Sequence, residues 1–205
     1  MVAKRPGPDS PSEVERQSLV LLSTFATGEH SVLDALCAFI FRSFRGVIPF
    51  DRLCVALIEG DPAVVRMRWQ ASVLAGPPLP SRYALPLGET SLGAVAQGGE
   101  PRILNDLGGY LEQHPGSRSS KMVHRQGVRS SLTCPLRVEG VTLGFLFFSS
   151  HQPDQYSEGH CAVFSDVADD LALVVKDPAP MTEASMKAVR RLGTTLENLS
   201  GSVRR

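Results

Sequence analysis

Residues 127–150, GVRSSLTCPLRVEGVTLGFLFFSS, carry the pattern that decides the fold. Within them, Ser130–Val138 alternates between apolar and polar side chains, which is the period-two pattern of a strand with one buried face. The apolar face holds Leu132, Cys134, Leu136 and Val138. The dipeptide Glu139-Gly140 is a turn signal, and the apolar segment 142–150 follows it. The sequence therefore predicts an antiparallel hairpin here.

Strand and helix signals on either side of this hairpin extend the pattern along the chain. Further strands are predicted at Arg52–Glu59, Val64–Ser72, 83–87 and Arg102–Leu104. Helices are predicted at 13–28, 31–45, 91–97, 119–125, 157–176 and 182–199. This order predicts an α+β fold, with an antiparallel β-sheet of about five to six strands. The N- and C-terminal helices are expected on one face, and loops and short helices covering a pocket on the other.

The same signals divide the chain into three parts. Residues 1–12 are rich in Pro, Gly and Ser and are predicted to be a disordered tail. Residues 13–176 form the predicted globular domain. Residues 177–205 begin with the helix-breaking run DPAP and continue as a linker and C-terminal helix.

The composition argues against several classes of protein. Lys+Arg and Asp+Glu are 21 each in 205 residues, so a broad nucleic-acid or anionic-membrane surface is not expected. No apolar run approaches the roughly 18–20 residues of a membrane span, and the N-terminus lacks the apolar core of a signal peptide. The four cysteines are scattered without a CxxC pair, as is typical of buried thiols in a reducing compartment. We expect a cytoplasmic protein.

Several motifs, taken in order, resemble those of the GAF domain, a small-molecule sensing module of signalling proteins. They are PFDRL at 49–53, LPLGE at 85–89, RILND at 102–106, GVRSSLTCPL at 127–136 and YSE at 156–158. The resemblance covers roughly residues 13–176. It implies a non-enzymatic sensor or regulatory domain that binds an unidentified small molecule, as in bacterial signal transduction or transcription regulation.

The resemblance also implies which side chains face the ligand pocket. On the two hairpin strands they are Ser131, Thr133, Phe147 and Ser149. Met122 and Gln126 on the preceding helix, and Asp106 in the loop before it, are the expected walls. No residue is assigned a catalytic or metal-binding role.

Particular ligands of related domains can be tested against the residues. Phytochromes attach a bilin through a Cys-His pair shortly before the GVRSSL-like run, where this chain has Arg118-Ser119, so a bilin is not expected. The charged pattern of cyclic-nucleotide receptors is absent after the last strand. The loop 105–129 has no cysteine, which argues against free methionine sulfoxide reductase activity. Haem remains an alternative, ligated by His114 or His124, in a gas or redox sensor.

The C-terminal helix carries an apolar seam with spacings of 3 and 4 residues. Its members are Val189, Leu192, Leu196, Leu199 and Val203. This pattern predicts a short coiled-coil seam and, with the family resemblance, a homodimer that signals through its terminal helices. The signal would pass to an output domain of a longer chain or to a partner signalling protein. Two alternatives stay open: the helix folds back on its own domain, or the protein is a dimerisation scaffold with a degenerate pocket.

Overall fold

The computed structural model of the chain describes residues 31–74, 80, 83–179 and 182–203. The predicted tail 1–12, the predicted helix 13–28 and most of the predicted loop 75–81 lie outside these residues. In chain order the elements are α1 (Val32–Phe44), β1 (Arg52–Glu59), β2 (Val64–Ser72), β3 (Ala84–Pro86), a short 3-10 helix (Leu87–Glu89), α2 (Leu92–Gly98), β4 (Arg102–Leu104), α3 (Leu107–Gln113), α4 (Arg118–Arg125), β5 (Ser130–Val138), β6 (Val141–Ser150), α5 (Glu158–Lys176) and α6 (Glu183–Val203).

The six strands of the described residues form one antiparallel sheet in the order β3-β2-β1-β6-β5-β4. β5 and β6 pair from Ser130 opposite Ser150 down to their connecting turn. The turn residues Glu139 and Gly140 have φ of 54° and 83°, and two successive positive φ values are typical of a type I′ hairpin turn. The predicted hairpin and the predicted α+β antiparallel fold are confirmed.

One face of the sheet packs against α1 and α5, and α6 completes the main hydrophobic core by packing on these two helices. The apolar face predicted for β5 lies here, since Leu132, Cys134 and Leu136 are fully buried. Phe148 of β6 stacks on Phe164 of α5 with ring centroids 3.5 Å apart. Trp69 packs against the edge of this cluster, with its ring centroid 6.5 Å from that of Phe41.

Helix α1 begins at a capping box. The Ser31 hydroxyl accepts a hydrogen bond from the Asp34 amide at 3.2 Å, and the Asp34 carboxylate accepts one from the Ser31 amide at 3.2 Å. The two bonds satisfy backbone amides that have no partner inside the helix. This fixes the start of the helix that crosses the core-side face of the sheet.

Helix α6 folds back on its own domain and packs against α5 and α1. Val189 and Leu192 are fully buried, Leu196 is 9% exposed, and Leu199 packs at the edge of the same core. The side chain of Val203 lies outside the described residues. The apolar seam predicted for a coiled coil is therefore used within the chain, as the fold-back alternative expects.

The segment 107–127 departs from the prediction, which placed one helix there. It holds two, because α3 (Leu107–Gln113) precedes α4. The prediction was wrong because Gly108 and Gly109 have poor helix propensity. α3 is instead supported by a cap, since Asp106 accepts a hydrogen bond from the Gly109 amide at 2.9 Å. Among the described helices, none combines the length and apolar character needed to cross a membrane.

Candidate functional site

A cavity of about 110 Å³ lies on the face of the sheet opposite the main core. Its floor is made by alternate side chains of β1, β6, β5 and β4, because residues two apart in a strand point to the same face. Register places these side chains in two rows across the four strands. One row is Arg52, Ser149, Ser131 and Leu104, and the other is Cys54, Phe147, Thr133 and Arg102.

The short helices between β3 and β5 close the cavity from above. Leu92 of α2, Leu107 of α3, and Ser119, Met122 and Val123 of α4 all line it. Ala56, Val65 and Leu92 of the lining also belong to a second, smaller hydrophobic cluster with Val95 and Phe145. The cavity is thus held between a rigid sheet and three short helices.

Five of the seven residues predicted to face a pocket line this cavity. They are Met122, Ser131, Thr133, Phe147 and Ser149. Their positions follow from the β5–β6 register, which pairs Ser131 with Ser149 and Thr133 with Phe147.

The other two predicted wall residues do not line the cavity. Asp106 is occupied as the N-cap of α3, where its carboxylate accepts from the Gly109 amide. Gln126 follows the last residue of α4, and its side-chain oxygen accepts a hydrogen bond from the Arg52 guanidinium. Gln126 therefore supports a lining residue from outside the cavity.

Arg52, which sequence reasoning missed, is a buried cation on the cavity floor, 4% exposed. Its Nε lies 3.1 Å from the Cys54 sulfur, to which it donates. Its terminal nitrogens donate to the side-chain oxygens of Gln126 and, at 3.3 Å, Gln70. The hydrogen bonds compensate its loss of hydration in part and fix the direction of its guanidinium group.

Arg102 is the second cation that the sequence did not assign to the site. It lies opposite Thr133 on the edge strand β4, and its Nη1 donates to the Ser91 carbonyl at 3.2 Å. Its Nε is buried and has no hydrogen-bond partner within the described part of the chain. Burial lowers the pKa of Arg102 from its usual value, since desolvation disfavours the charged form.

Comparison with protein-family profiles matches residues 26–176 to the GAF domain. The chain belongs to the GAF domain family. A search of curated protein sequences found no match. As a GAF domain, the chain has the fold of a sensory and regulatory module of signalling proteins.

Solved structures similar to this GAF domain have diverse activities. The GAF domain of a Coxiella burnetii phosphoenolpyruvate-protein phosphotransferase matches with a TM-score of 0.58 and 17% identity, covering 82% of this chain and 95% of that one. The phycocyanobilin-bound GAF domain of a cyanobacterial phytochrome matches with a TM-score of 0.57 and 14% identity, covering 80% of this chain and 94% of that one. A type II free methionine-R-sulfoxide reductase from Thermoplasma acidophilum matches with a TM-score of 0.54 and 16% identity, covering 77% of this chain and 96% of that one. Likeness at such low identity establishes the fold alone.

The thiols of this GAF domain are poorly suited to redox chemistry. Cys37, Cys54 and Cys134 are buried, and Cys161 is half-buried. Burial raises the pKa of all four above the usual value for a thiol. Because the thiolate is the reactive form, these side chains are weak nucleophiles at neutral pH. Cys54 is the one that lines the cavity.

The histidines predicted as alternative haem ligands are not placed to reach a group inside the cavity. Neither His114 nor His124 lines it. His114 stacks on Tyr110 with ring centroids 4.2 Å apart, and its Nδ1 lies 3.1 Å from the Tyr110 carbonyl oxygen. Within the described ranges, no group of three or more His, Cys, Asp or Glu side chains could hold a metal ion. The residues present do not fit a haem ligated from inside this cavity.

Proposed function

We propose that this GAF domain is a non-enzymatic sensor that binds a small molecule in the cavity between the sheet and helices α2–α4. One observation carries the proposal: a defined cavity combines hydrogen-bonding groups with an apolar wall. Ser131, Thr133 and Ser149 supply hydroxyls, whereas Phe147 and Met122 supply apolar surface. Mixed linings of this kind orient a ligand and exclude water from it.

The volume of the cavity limits the size of its ligand. A cavity of roughly 150 Å³ accommodates benzene, and this one is about 110 Å³. Benzene, with about six non-hydrogen atoms, is therefore an upper limit for a ligand that fits without rearrangement of the walls. A bilin, a haem or a cyclic nucleotide is several times larger, so the walls would have to move apart to admit one.

The chemistry of the lining supports binding rather than catalysis. The one thiol in the cavity, Cys54, is kept protonated by burial. No carboxylate or histidine lines the cavity within the described residues to act as an acid or a base. We propose a cytoplasmic location, because all four cysteines are free thiols.

Strand β5 provides a route from the cavity to the terminal helix. Ser131 and Thr133 face the cavity, whereas Leu132 and Cys134 between and beside them face α5 in the main core. α5 in turn packs against α6. We propose that ligand binding shifts the equilibrium between α6 docked on its own domain and α6 released from it. A released α6 would pair through its apolar seam with a second copy of the chain. The resulting homodimer would act on an output domain or partner in bacterial signalling or transcription regulation.

Filling the cavity with side chains tests whether it is the binding site. In the variant carrying Ser131→Leu and Thr133→Leu, two larger side chains occupy the space between the sheet and α4. We expect compounds that raise the melting temperature of the wild-type protein in a small-molecule screen to have no effect on this variant. The control is Ser72→Leu, which adds the same side chain at an exposed position of the sheet outside the cavity.

Three outcomes separate the candidate functions. Stabilisation that is present in wild type and Ser72→Leu but lost in the double variant supports the sensor. Equal stabilisation of all three proteins places the ligand elsewhere and contradicts the assignment of the cavity. If no compound stabilises the wild-type protein, the result favours a scaffold with a degenerate pocket, since a bound ligand must stabilise the native state.

A further inference from the structure

The charges that line the cavity are all of one sign. Arg52 and Arg102 both line it, and no Asp or Glu of the described residues does. Neither arginine forms an ion pair with a described carboxylate, since the described ion pairs of arginine join Arg66 to Glu59 and Arg191 to Asp170. Moving a cation out of water is costly unless a counter-charge or hydrogen bonds replace its hydration. The cavity therefore has a positive potential that the described protein groups leave unneutralised.

The two arginines differ in how far the protein satisfies them. Arg52 donates to Cys54, Gln70 and Gln126, so most of its hydrogen-bonding capacity is used within the protein. Arg102 donates from Nη1 to a single backbone carbonyl, and its buried Nε has no partner in the described chain. Arg102 is thus the cation best placed to gain from an added acceptor.

The remaining lining distinguishes between kinds of anion. Hydroxyls of Ser131 and Thr133 lie on the same strand face as Arg102 and can donate to a second oxygen. Much of the remaining lining is apolar. It is formed by Leu104 and Phe147 on the floor and by Leu85, Leu92, Leu107 and Val123 around it. A compact anion that is polar all round, such as inorganic phosphate, would leave this apolar lining without contact.

We propose that the ligand of the cavity is a short-chain organic carboxylate of up to about six non-hydrogen atoms, bound through its carboxylate to Arg102 and through its chain to the apolar lining. This inference rests on the proposed function, since it names the chemical class of the molecule sensed. A carboxylate accepts charge-assisted hydrogen bonds from guanidinium nitrogens, which are stronger than those between neutral groups. A neutral molecule of the same shape gains the apolar contacts but leaves the cation of Arg102 uncompensated.

The test compares an acid with its amide, which has nearly the same shape but no charge. Isothermal titration calorimetry of the full chain with sodium butyrate, butyramide and inorganic phosphate gives the three dissociation constants. We expect the dissociation constant for butyrate to be at least about tenfold lower than that for butyramide, and phosphate to bind more weakly than butyrate. Butyramide binding as tightly as butyrate would overturn the inference, and tighter binding of phosphate would overturn the choice of a carboxylate.

Three arginine variants test whether the preference for butyrate over butyramide depends on the side chain of Arg102. Arg102→Met should bring the dissociation constants of butyrate and butyramide within a factor of about two, and Arg102→Lys should retain part of the preference because it keeps the charge. The matched control is Arg137→Met, because Arg137 also has a buried Nε without a described hydrogen-bond partner but lies outside the cavity. It should keep the full preference. An unchanged preference in Arg102→Met would overturn the inference, and Arg102→Gln, which also removes the charge, serves the same comparison if the methionine variant fails to fold.

Failure of this inference is distinguishable from failure of the proposed function. If butyrate does not bind, but other compounds stabilise the wild-type protein and not the Ser131→Leu, Thr133→Leu variant, the cavity is a sensor site and the carboxylate assignment is wrong. If no compound of either experiment binds, both the inference and the proposed function are wrong.

Discussion

Leu192→Ala lowers the free energy of unfolding by about 2–5 kcal/mol if α6 is part of the core of its own domain. Leu192 is fully buried, in a cluster that includes residues of α1 and α5. Removing most of its side chain loses apolar burial and leaves a cavity that the surrounding helices fill only in part. Urea unfolding, followed by circular dichroism at a concentration where the protein is monomeric, measures the loss.

The control for this variant is Arg190→Ala, two residues away on the exposed side of the same helix. It should change the free energy of unfolding by less than about 0.5 kcal/mol, as surface substitutions generally do. If Leu192→Ala behaves like this control in the monomer but weakens self-association, the apolar seam belongs to a subunit interface. The docked position of α6 described above would then be wrong.

The stability of the protein should fall as the pH rises from about 4 to about 8 because of Asp170, and Asp170→Asn should remove this dependence. Asp170 is 1% exposed in α5, with Oδ1 3.1 Å from Nε of Arg191 on α6. Burial raises its pKa to about 7 despite the opposing charge of Arg191. Asp166 and Asp169 on α5 raise this pKa further, and Lys187 on α6 lowers it.

The sign follows from proton binding in the two states. The pKa of an aspartate in an unfolded chain is about 3.9, so between pH 4 and 7 the native state binds more protons than the unfolded state. Unfolding then releases a proton, and the free energy of unfolding decreases with rising pH. Below pH 4 both states are protonated and above pH 8 both are ionised, so the contribution is constant at each end. The total change is on the order of 4 kcal/mol.

The measurement is the free energy of unfolding from pH 4 to 8 for wild type and Asp170→Asn. The difference between the two curves isolates the contribution of Asp170 to the pH dependence from those of the other titrating groups. Glu197→Gln, at an exposed carboxylate of α6, is the control and should follow the wild-type curve. Parallel curves for wild type and Asp170→Asn would show that Asp170 is ionised alike in both states, contrary to its burial against α6.

The parts of the fold that were predictable depend on local patterns. The alternation in Ser130–Val138 identifies both faces of β5, and the Glu139-Gly140 turn identifies β6 as its partner. The turn alone would set Thr133 opposite Leu146, but the pairing shifts by one residue between Leu136 and Arg137, so that Thr133 lies opposite Phe147. The placement of Phe147 and Ser149 on the cavity face came from the resemblance to the GAF domain, because a shift of one residue moves every side chain of a strand to the other face.

The arginines of the cavity were not predictable in this way. Arg102 joins the site because β4 pairs with β5, which sets Arg102 opposite Thr133. Arg52 joins it because β1 pairs with β6, which sets Arg52 opposite Ser149. Both pairings link segments far apart in sequence, and neither strand carries a local signal that selects its neighbour. From sequence alone, an arginine at the start of a strand is expected to be exposed to solvent.

The role of α6 was ambiguous in sequence for a different physical reason. A seam of apolar residues at spacings of 3 and 4 must be buried, but the pattern does not say against what. Val189, Leu192 and Leu196 would be buried equally well if α6 packed on α1 and α5 or on a second copy of the chain. The role of Asp106 was ambiguous for a related reason, because a carboxylate in a loop can face a cavity or cap a helix, and here it caps α3.

The most direct test of the account is a methyl NMR titration, since its central claim is that this GAF domain binds a small carboxylate in the cavity. Met67 and Met122 both line the cavity, whereas Met186 lies on α6. Carbon-13 methyl spectra of the methionines are recorded as sodium butyrate is added to wild type and to the Ser131→Leu, Thr133→Leu variant. We predict saturable shifts of the Met67 and Met122 signals in wild type and none in the variant. Unmoved Met67 and Met122 signals in the wild-type protein would contradict it.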